Sequence, residues 1–163
     1  MQFRKATWED LEAINEIYNQ AVEQRFCTAH LEPVGMEYRR EWFAQHDPEK
    51  YPVFVACQSK EITGWVSLGP YRLGRQALAH VGEVSYYVER GHRGRGTGSL
   101  LMEHAMKKAP DFGLTVLVAI LLNRNPPSMA LLKKFGFSEW GVMPGIARIS
   151  HDSADHLYYG LKL

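Results

Sequence analysis

The chain has 163 residues, of which 45% are hydrophobic, and this length and composition predict one domain over residues 1–163 with a substantial core. Its 19 basic and 18 acidic side chains leave a formal net charge of +1. This near-neutral charge argues against the strongly basic surface of general nucleic-acid and anionic-membrane binders, so we expect neither partner.

The first half of the chain predicts a strand, two helices and three further strands. Residues 2–6 form the first strand, and apolar side chains then recur at helical spacing from Leu11 to Ala21. A second helical pattern covers residues 36–46. Segments rich in β-branched and aromatic residues predict strands at 52–58, 62–70 and 81–88.

The second half predicts two helices that alternate with three strands. A glycine-rich run at 91–98 leads into a helix, and the fully apolar run 114–121 is typical of a strand buried on both faces. Asn125 predicts the cap of another helix, which Gly136 ends. Final strands are expected at 138–143 and 155–161. The order β-α-α-β-β-β-α-β-α-β-β predicts the α/β class with a mostly antiparallel N-terminal sheet.

The run GHRGRGTGSLLMEHAM, residues 91–106, combines a strand end, a glycine-rich turn and a helix start. Three of its glycines let the backbone turn sharply and approach a ligand closely: Gly94, Gly96 and Gly98. Free backbone amides at the start of this helix would come from these glycines and from Arg95, Thr97 and Ser99. Together with the helix dipole they predict a diphosphate site, to which Arg93 or Arg95 would add a charged hydrogen bond.

Other interpretations of this run remain open from the residues alone. It lacks the GK[ST] ending of a Walker A loop, and its third glycine comes too early for the GxGxxG dinucleotide motif. A glycine-rich surface turn with incidental arginines fits the bare pattern equally well. A nucleic-acid patch is disfavoured because the basic cluster is short and the chain is nearly neutral.

Several segments carry a resemblance to a known family. RGRGTG, residues 93–98, resembles the [QR]-x-x-G-x-[GA] pyrophosphate loop of the GCN5-related N-acetyltransferase (GNAT) superfamily, and NRNPPSMALLKKFGF, residues 123–137, resembles its second cofactor motif. The segments IYNQAV, TAHLEPV, EWFAQH, YPVFVA, GWVSLGPYRLGR and GEVSYYV are similar to the phosphinothricin and methionine sulfoximine acetyltransferase subfamily. The resemblance extends over nearly the whole chain.

This resemblance implies the GNAT fold, an α/β architecture with a mixed, mostly antiparallel central sheet that is splayed in the middle and flanked by helices on both faces. It implies an enzyme that uses acetyl-CoA as co-substrate. No metal is expected, because the cysteines and the scattered histidines lack metal-ligand spacing. The pyrophosphate would lie on residues 93–99, and the backbone of Tyr86, Tyr87 and Val88 would bind pantetheine like an added strand. Asn125 would contact the pantetheine arm.

The resemblance also assigns catalytic roles. Glu83 matches the general base, although an exposed or ion-paired strand glutamate is the simpler interpretation without the resemblance. A backbone N–H near Tyr87 or Val88 would stabilise the oxyanion. Many relatives carry a tyrosine, and this subfamily a histidine, at the position of Leu132, where no proton donor is possible here. Tyr86 and Tyr158 are alternative donors.

The acceptor is inferred from two further matches to the subfamily. Arg72 and Arg75, in YRLGR, would hold an amino-acid carboxylate, and two solvated loop cations are the alternative interpretation. Thr28 and Glu32, in TAHLE, match a loop that borders the acceptor. The subfamily's late K-F-G-x-W-x-D pattern is replaced by residues 149–155, which keep only Asp155.

We therefore expect acetyl transfer to a small amino-acid-like acceptor of the phosphinothricin, methionine sulfoximine or methionine sulfone type. The alternatives are a protein N-terminus, a polyamine, or a CoA-binding sensor without catalysis. A homodimer is expected from the resemblance alone. Cys27 and Cys57 lie outside any CxxC or metal-ligand spacing, and the N-terminus lacks the apolar run of a signal peptide, so we expect a cytoplasmic protein.

Overall fold

One seven-stranded sheet, in the order β1-β2-β3-β4-β5-β7-β6, lies at the centre of the computed structural model, which describes residues 1–163. The strands are β1 (Gln2–Lys5), β2 (Val53–Gln58), β3 (Glu61–Pro70), β4 (Val81–Val88), β5 (Val116–Leu122), β6 (Ser138–Ile149) and β7 (Asp152–Lys162). Only β4 and β5 run parallel, and every other neighbouring pair is antiparallel. The predicted class and element order are confirmed.

Four helices cover the two faces of this sheet: α1 (Leu11–Val22), α2 (Met36–Ala44), α3 (Thr97–Lys108) and α4 (Pro126–Lys134). Because strand side chains alternate between faces, Val53, Val55 and Trp65 pack on the side of α1 and α2. Phe54 and Val66 point to the other side, against α3 and α4. None of the helices has both the length and the apolar composition needed to cross a lipid bilayer.

The final hairpin is longer than the sequence predicts. Strands were expected at 138–143 and 155–161, but β6 continues to Ile149 and β7 starts at Asp152, on either side of a turn at Ser150 with φ of 57°. Pro144 and Gly145 look like strand breakers in the sequence. The strand instead absorbs them in an irregularity between Met143 and Ala147, where the pairing register shifts.

The parallel pair β4–β5 is short, and it separates along its length. Three residue pairs join the strands, of which the last is Glu83 with Val118. Beyond this point β5 stays paired with β7 as far as Leu122, while β4 stays paired with β3 as far as Val88. The sheet is therefore splayed at its centre, as predicted.

Gly64 allows close packing between the sheet and α3. A Cβ at this position would lie 2.8 Å from the Tyr87 carbonyl oxygen and 2.9 Å from Leu101 Cδ1. We expect Gly64→Ala to lower the free energy of unfolding by about 1–3 kcal/mol through overpacking. Gly35→Ala is the matched control, because nothing lies within 4 Å of the added Cβ. Urea unfolding would measure both, and equal midpoints would contradict this account.

Candidate functional site

The gap between the diverging strands forms a cleft of about 610 Å³, called here the β4–β5 cleft. Its walls are the two strands, the glycine loop (residues 93–99), the start of α4 and the segment that follows α1. Nine residues that the sequence assigned to the cofactor line it: Tyr86, Tyr87, Val88, Arg93, Gly94, Gly96, Gly98, Ser99 and Asn125. The other two lie elsewhere, since Arg95 is exposed and Thr97 is buried below the loop.

The glycine loop presents free amides to this cleft. Gly94 and Gly96 have φ of 71° and 87°, in the left-handed region that favours glycine, and Gly96 is the residue before α3. The first amides of α3 have no intrahelical acceptor, and its first turn carries no acidic side chain. Arg93 is held beside them, because its Nε donates to the Val88 carbonyl oxygen at 3.0 Å. The loop therefore has the donors that a phosphate group requires.

The backbone of β4 supplies a second set of polar groups. Glu89 donates its N–H to the Thr63 oxygen at 2.9 Å, and hydrogen-bonded pairs alternate along an antiparallel ladder. The register then directs the N–H of Tyr87 to β3, and those of Tyr86 and Val88 towards the cleft. Of the two oxyanion donors that the sequence suggests, Val88 has the suitable orientation.

Glu83 lies where the two strands separate. Its side chain is half-buried and, like that of Tyr87, projects to the α1–α2 face, because the two residues are four apart on β4. Burial raises the pKa of its carboxyl group, and no neighbouring charge or hydrogen bond offsets that effect. The interpretation of Glu83 as an ion-paired or fully exposed strand residue therefore does not apply.

Tyr86 occupies the opposite face of β4, beside the start of α4. Its hydroxyl is 2.5 Å from Ser128 Oγ, and burial raises its pKa to about 12. Leu132, where the sequence resemblance implied a tyrosine or histidine, is fully buried in the cleft wall. Tyr158 does not line the cleft; it lies on β7, where it pairs with Ile120 of β5. Of the two alternative donors, only Tyr86 lines the cleft.

The residues assigned to the acceptor do not line the cleft. Arg72 and Arg75 are exposed and border a separate hollow of about 180 Å³ at the end of β3. Thr28 Oγ1 lies 2.8 Å from the Tyr18 hydroxyl, which also hydrogen-bonds to His30, and Glu32 is exposed. These four residues therefore occupy two regions outside the β4–β5 cleft.

Asp155, the residue kept from the subfamily's late pattern, has a structural role. One of its oxygens accepts from Asn123 Nδ2 at 3.0 Å, and the other accepts from the Gly145 amide at 2.8 Å. It thereby joins the loop before α4 to the irregular part of β6. His151, in the turn of the same hairpin, is exposed.

Sequence reasoning missed several residues of the cleft. Gln24, Phe26 and Cys27 line it from the irregular segment after α1, where no periodicity or motif marks them. Burial raises the pKa of the Cys27 thiol. Ser128 also lines the cleft, and its position in the second cofactor motif was the available signal. No group of three or more potential metal-ligating side chains occurs in the structure.

Known proteins resemble this chain along most of its length. Residues 11–137 match the model of the acetyltransferase (GNAT) family. The chain is 39% identical over 164 residues to YwnH of Bacillus subtilis, provisionally named a phosphinothricin acetyltransferase, with 100% of this chain and 99% of that protein aligned. It is 33% identical to the L-methionine sulfoximine/L-methionine sulfone acetyltransferase of Pseudomonas aeruginosa, over 89% of this chain and 84% of that protein.

Solved structures share the architecture. The ribosomal-protein-alanine N-acetyltransferase from Brucella melitensis superposes with a TM-score of 0.92 at 31% identity, over 100% of both chains. The Salmonella typhimurium protein yncA, provisionally described as an acetyltransferase and solved with its cofactor acetyl-CoA, superposes with a TM-score of 0.92 at 29% identity. That match covers 100% of this chain and 94% of that one. The fold implied by the sequence resemblance is confirmed.

Asn125 has a local role that can be tested independently of any ligand. Its side-chain oxygen accepts the Ser128 N–H at 3.2 Å and so caps α4. We expect Asn125→Ala to lower the free energy of unfolding by about 1 kcal/mol, whereas Asn125→Ser, which retains a capping oxygen, stays within a few tenths of the wild type. Chemical denaturation of the three proteins would measure this. Equal losses in both variants would show that capping is not the role of this side chain.

Proposed function

The chain belongs to the acetyltransferase (GNAT) family, and from that premise we propose that it transfers the acetyl group of acetyl-CoA directly to the amine of a small amino-acid-like acceptor, with Glu83 as general base. The acceptors proposed are of the phosphinothricin, methionine sulfoximine and methionine sulfone type. One observation carries the proposal: the glycine loop and the unpaired edge of β4 share one cleft, and Glu83, the last β4 residue paired with β5, directly precedes the first cleft-lining residue of β4, Val84.

The cleft residues fit the chemical groups of acetyl-CoA. The free amides of the glycine loop, with Arg93 beside them, suit a diphosphate. The outward N–H group of Tyr86 suits an amide carbonyl of pantetheine, which would pair with β4 in the place that β5 leaves. Acetyl-CoA supplies a thioester, whose carbonyl carbon is the electrophile for the amine.

Glu83 would remove the proton that prevents attack. An ammonium nitrogen has no lone pair, so one N–H bond must break before the nitrogen can bond to carbon. The carboxylate of Glu83 accepts this proton directly or through one water, and burial makes it a stronger base than an exposed glutamate. The Val88 N–H would donate to the oxyanion as the carbonyl is attacked.

Tyr86 would stabilise the departing sulfur without giving up its proton. Its pKa of about 12 is several units above the value of about 8.5 for an ordinary thiol, so transfer of the proton to a thiolate is unfavourable. A hydrogen bond from the phenol to the developing thiolate remains favourable. This role suits the replacement of a protonating side chain by Leu132, because CoA can leave as a stabilised thiolate.

The acceptor class rests on the relatives and on the two loop arginines. Relatives at 39% and 33% identity are named for phosphinothricin and for methionine sulfoximine or sulfone. Gly69 pairs with Glu83, and Arg72 follows three residues later, a span of about 10 Å in extended chain. An arginine side chain can bridge much of that distance, so it would reach the carboxylate of an acceptor whose amine lies at Glu83.

A protein N-terminus is the second candidate acceptor. The Brucella neighbour, named for ribosomal-protein alanine, covers the full chain at 31% identity and favours it. A peptide has no carboxylate beside its terminal amine, and the loop arginines would then have no role in binding. Acetylation of peptides beginning with alanine, unaffected by neutralising Arg72 and Arg75, would support this candidate over amino-acid-like acceptors.

Glu83→Gln tests the general base. We expect kcat to fall by about 100-fold or more with little change in CoA affinity, because the amide keeps the shape but cannot accept the proton. In the wild type, kcat/KM should decline as the pH falls through the Glu83 pKa, which burial raises, because only the carboxylate form is active. Thiol release measures turnover, and calorimetry measures CoA binding.

The assay needs a broad acceptor panel and a matched control. The panel comprises amino acids, methionine sulfone, methionine sulfoximine, phosphinothricin, an alanine-initiated peptide and spermidine. Glu61→Gln, an exposed glutamate on β3, should leave kcat unchanged. CoA binding without turnover on any of these amines would refute the proposed function and favour a CoA-binding sensor.

Tyr86→Phe tests the hydrogen bond to sulfur. Removal of one donor to a developing charge should lower kcat by about tenfold, roughly 1.4 kcal/mol, while the KM for acetyl-CoA changes little. Ser128→Ala is the control, because it removes the partner of the Tyr86 hydroxyl and leaves the donor in place. Stopped-flow thiol release would compare the two. An equal loss of kcat in both variants would mean that the pair acts only structurally.

A further inference from the structure

His46 follows α2, and the proposed function assigns it no role. We propose that it is a proton-relay residue: Glu83 takes the proton from the acceptor ammonium and passes it to Nε2 of His46. The inference rests on the proposed function and adds a second proton acceptor to the same site. It is carried by the juxtaposition of three residues on three different elements, Glu83, Gly69 and His46.

The absence of a side chain at Gly69 brings His46 close to Glu83. Gly69 and Glu83 are register partners on β3 and β4, so their Cβ positions lie on the same face, about 4.5–5.5 Å apart. A Cβ at Gly69 would be 3.8 Å from Nε2 of His46. The imidazole therefore lies over Gly69, above the space beside Glu83 that a larger side chain at this position would fill.

The hydrogen bond of the other ring nitrogen fixes the tautomer. Nδ1 of His46 lies 2.8 Å from the Trp42 carbonyl oxygen, which can only accept. The proton of a neutral His46 is therefore on Nδ1, and Nε2 carries the lone pair. The Trp42 ring, whose centroid is 4.3 Å from that of His46, supports the imidazole in this orientation.

The surroundings keep His46 neutral before it receives the proton. Burial lowers its pKa, the positive charge of Arg39 on α2 lowers it further, and the bond to the Trp42 carbonyl partly opposes both. The groups that face it from β3, Gly69 and Ser67, do not titrate. On β4 the facing titratable group is Glu83, whose negative charge would favour the imidazolium while the proton is held.

Two protons leave the acceptor nitrogen, one before the attack and one as the C–S bond breaks, and the relay accounts for both. One ammonium N–H bond breaks as an O–H bond forms on Glu83, and the freed amine attacks the thioester. The O–H bond then breaks as an N–H bond forms on Nε2, which leaves Glu83 ionised and His46 as imidazolium. The regenerated Glu83 carboxylate takes the second proton from the nitrogen as the C–S bond breaks and CoA leaves as a thiolate. His46 is half-buried, so the imidazole can pass each proton to solvent, and the pair returns to its starting state.

His46→Asn separates the relay from the structural role. An asparagine amide can keep the donor to the Trp42 carbonyl, while the Nε2 acceptor is lost. We expect kcat to fall by about tenfold or more, with an unchanged KM for acetyl-CoA and a displaced acid limb of the kcat–pH profile. His104→Asn is the control. Like His46, this histidine on α3 is desolvated, and its buried Nε2 has no hydrogen-bond partner. Unlike His46, it packs on Phe3 and Phe54 on the other face of the sheet. Its kcat should equal that of the wild type.

Histidine NMR gives a second readout that needs no turnover. In wild-type protein the His46 ring should show the Nδ1–H tautomer, and Glu83→Gln should lower its pKa because a neighbouring negative charge is removed. An unchanged His46 pKa in this variant, or wild-type kcat and pH profile in His46→Asn, would overturn the relay and leave the proposed function intact. Absence of turnover by the wild type on the whole panel would overturn both proposals.

Discussion

The separation of β4 from β5 after the Glu83–Val118 pair is the constraint on which the site depends. β5 stays instead with β7, to which its other edge is paired along its whole length. The β4 backbone groups that face β5 beyond that point therefore lack strand partners. A buried amide without a partner costs about 1–3 kcal/mol, so such an edge must meet a protein donor, water or a ligand. Arg93 satisfies the Val88 carbonyl, and the outward N–H groups of Tyr86 and Val88 remain for a ligand.

The two-residue period of β4 then divides the chemistry between two faces of the sheet. Glu83 and Tyr87 project towards α1 and α2, whereas Tyr86 and Val88 project towards α3 and α4. Groups that remove a proton from the acceptor and groups that stabilise the leaving sulfur can thus come from one strand without contacting each other. A carboxylate beside the departing thiolate would oppose its charge, and the sheet keeps the two apart.

The sequence predicted those parts of the fold and site that depend on local patterns. Periodicity identified the strands and helices, and the glycine run indicated a sharp turn before α3, where Gly94 and Gly96 have positive φ. The path of β6 past Pro144 was missed because a bulge, which depends on pairing with β7, absorbs the proline. His46 was missed for a similar reason. It lies over Gly69, which pairs with Glu83, and the three residues belong to different elements, so no spacing along the chain indicates that they are close. The position of Arg75 outside the cleft also depends on tertiary structure, which local sequence patterns do not indicate.

The position of His46 depends in turn on an unusual buried cation. Arg39 and Trp42 are three residues apart and share one side of α2, and His46 lies just beyond the end of this helix, with its Nδ1 2.8 Å from the Trp42 carbonyl oxygen. This helix has nine residues and no side-chain cap, so tertiary packing must hold it in place. The Arg39 guanidinium lies 4.5 Å from the centre of the Tyr18 ring and 4.6 Å from that of Trp42, and its Nε donates to Asn15 at 3.1 Å.

Arg39 is held by aromatic rings and not by a carboxylate, and this affects the charge that it presents to its neighbours. An ion-paired arginine would carry no net charge into its surroundings, whereas a guanidinium held by ring faces keeps its positive charge. Burial lowers the pKa of His46, and that charge lowers it further, so both favour the neutral imidazole. The contacts that hold α2 against the sheet therefore also keep the Nε2 lone pair of His46 available beside Glu83. A change in the packing of this helix would change the protonation of His46 as well.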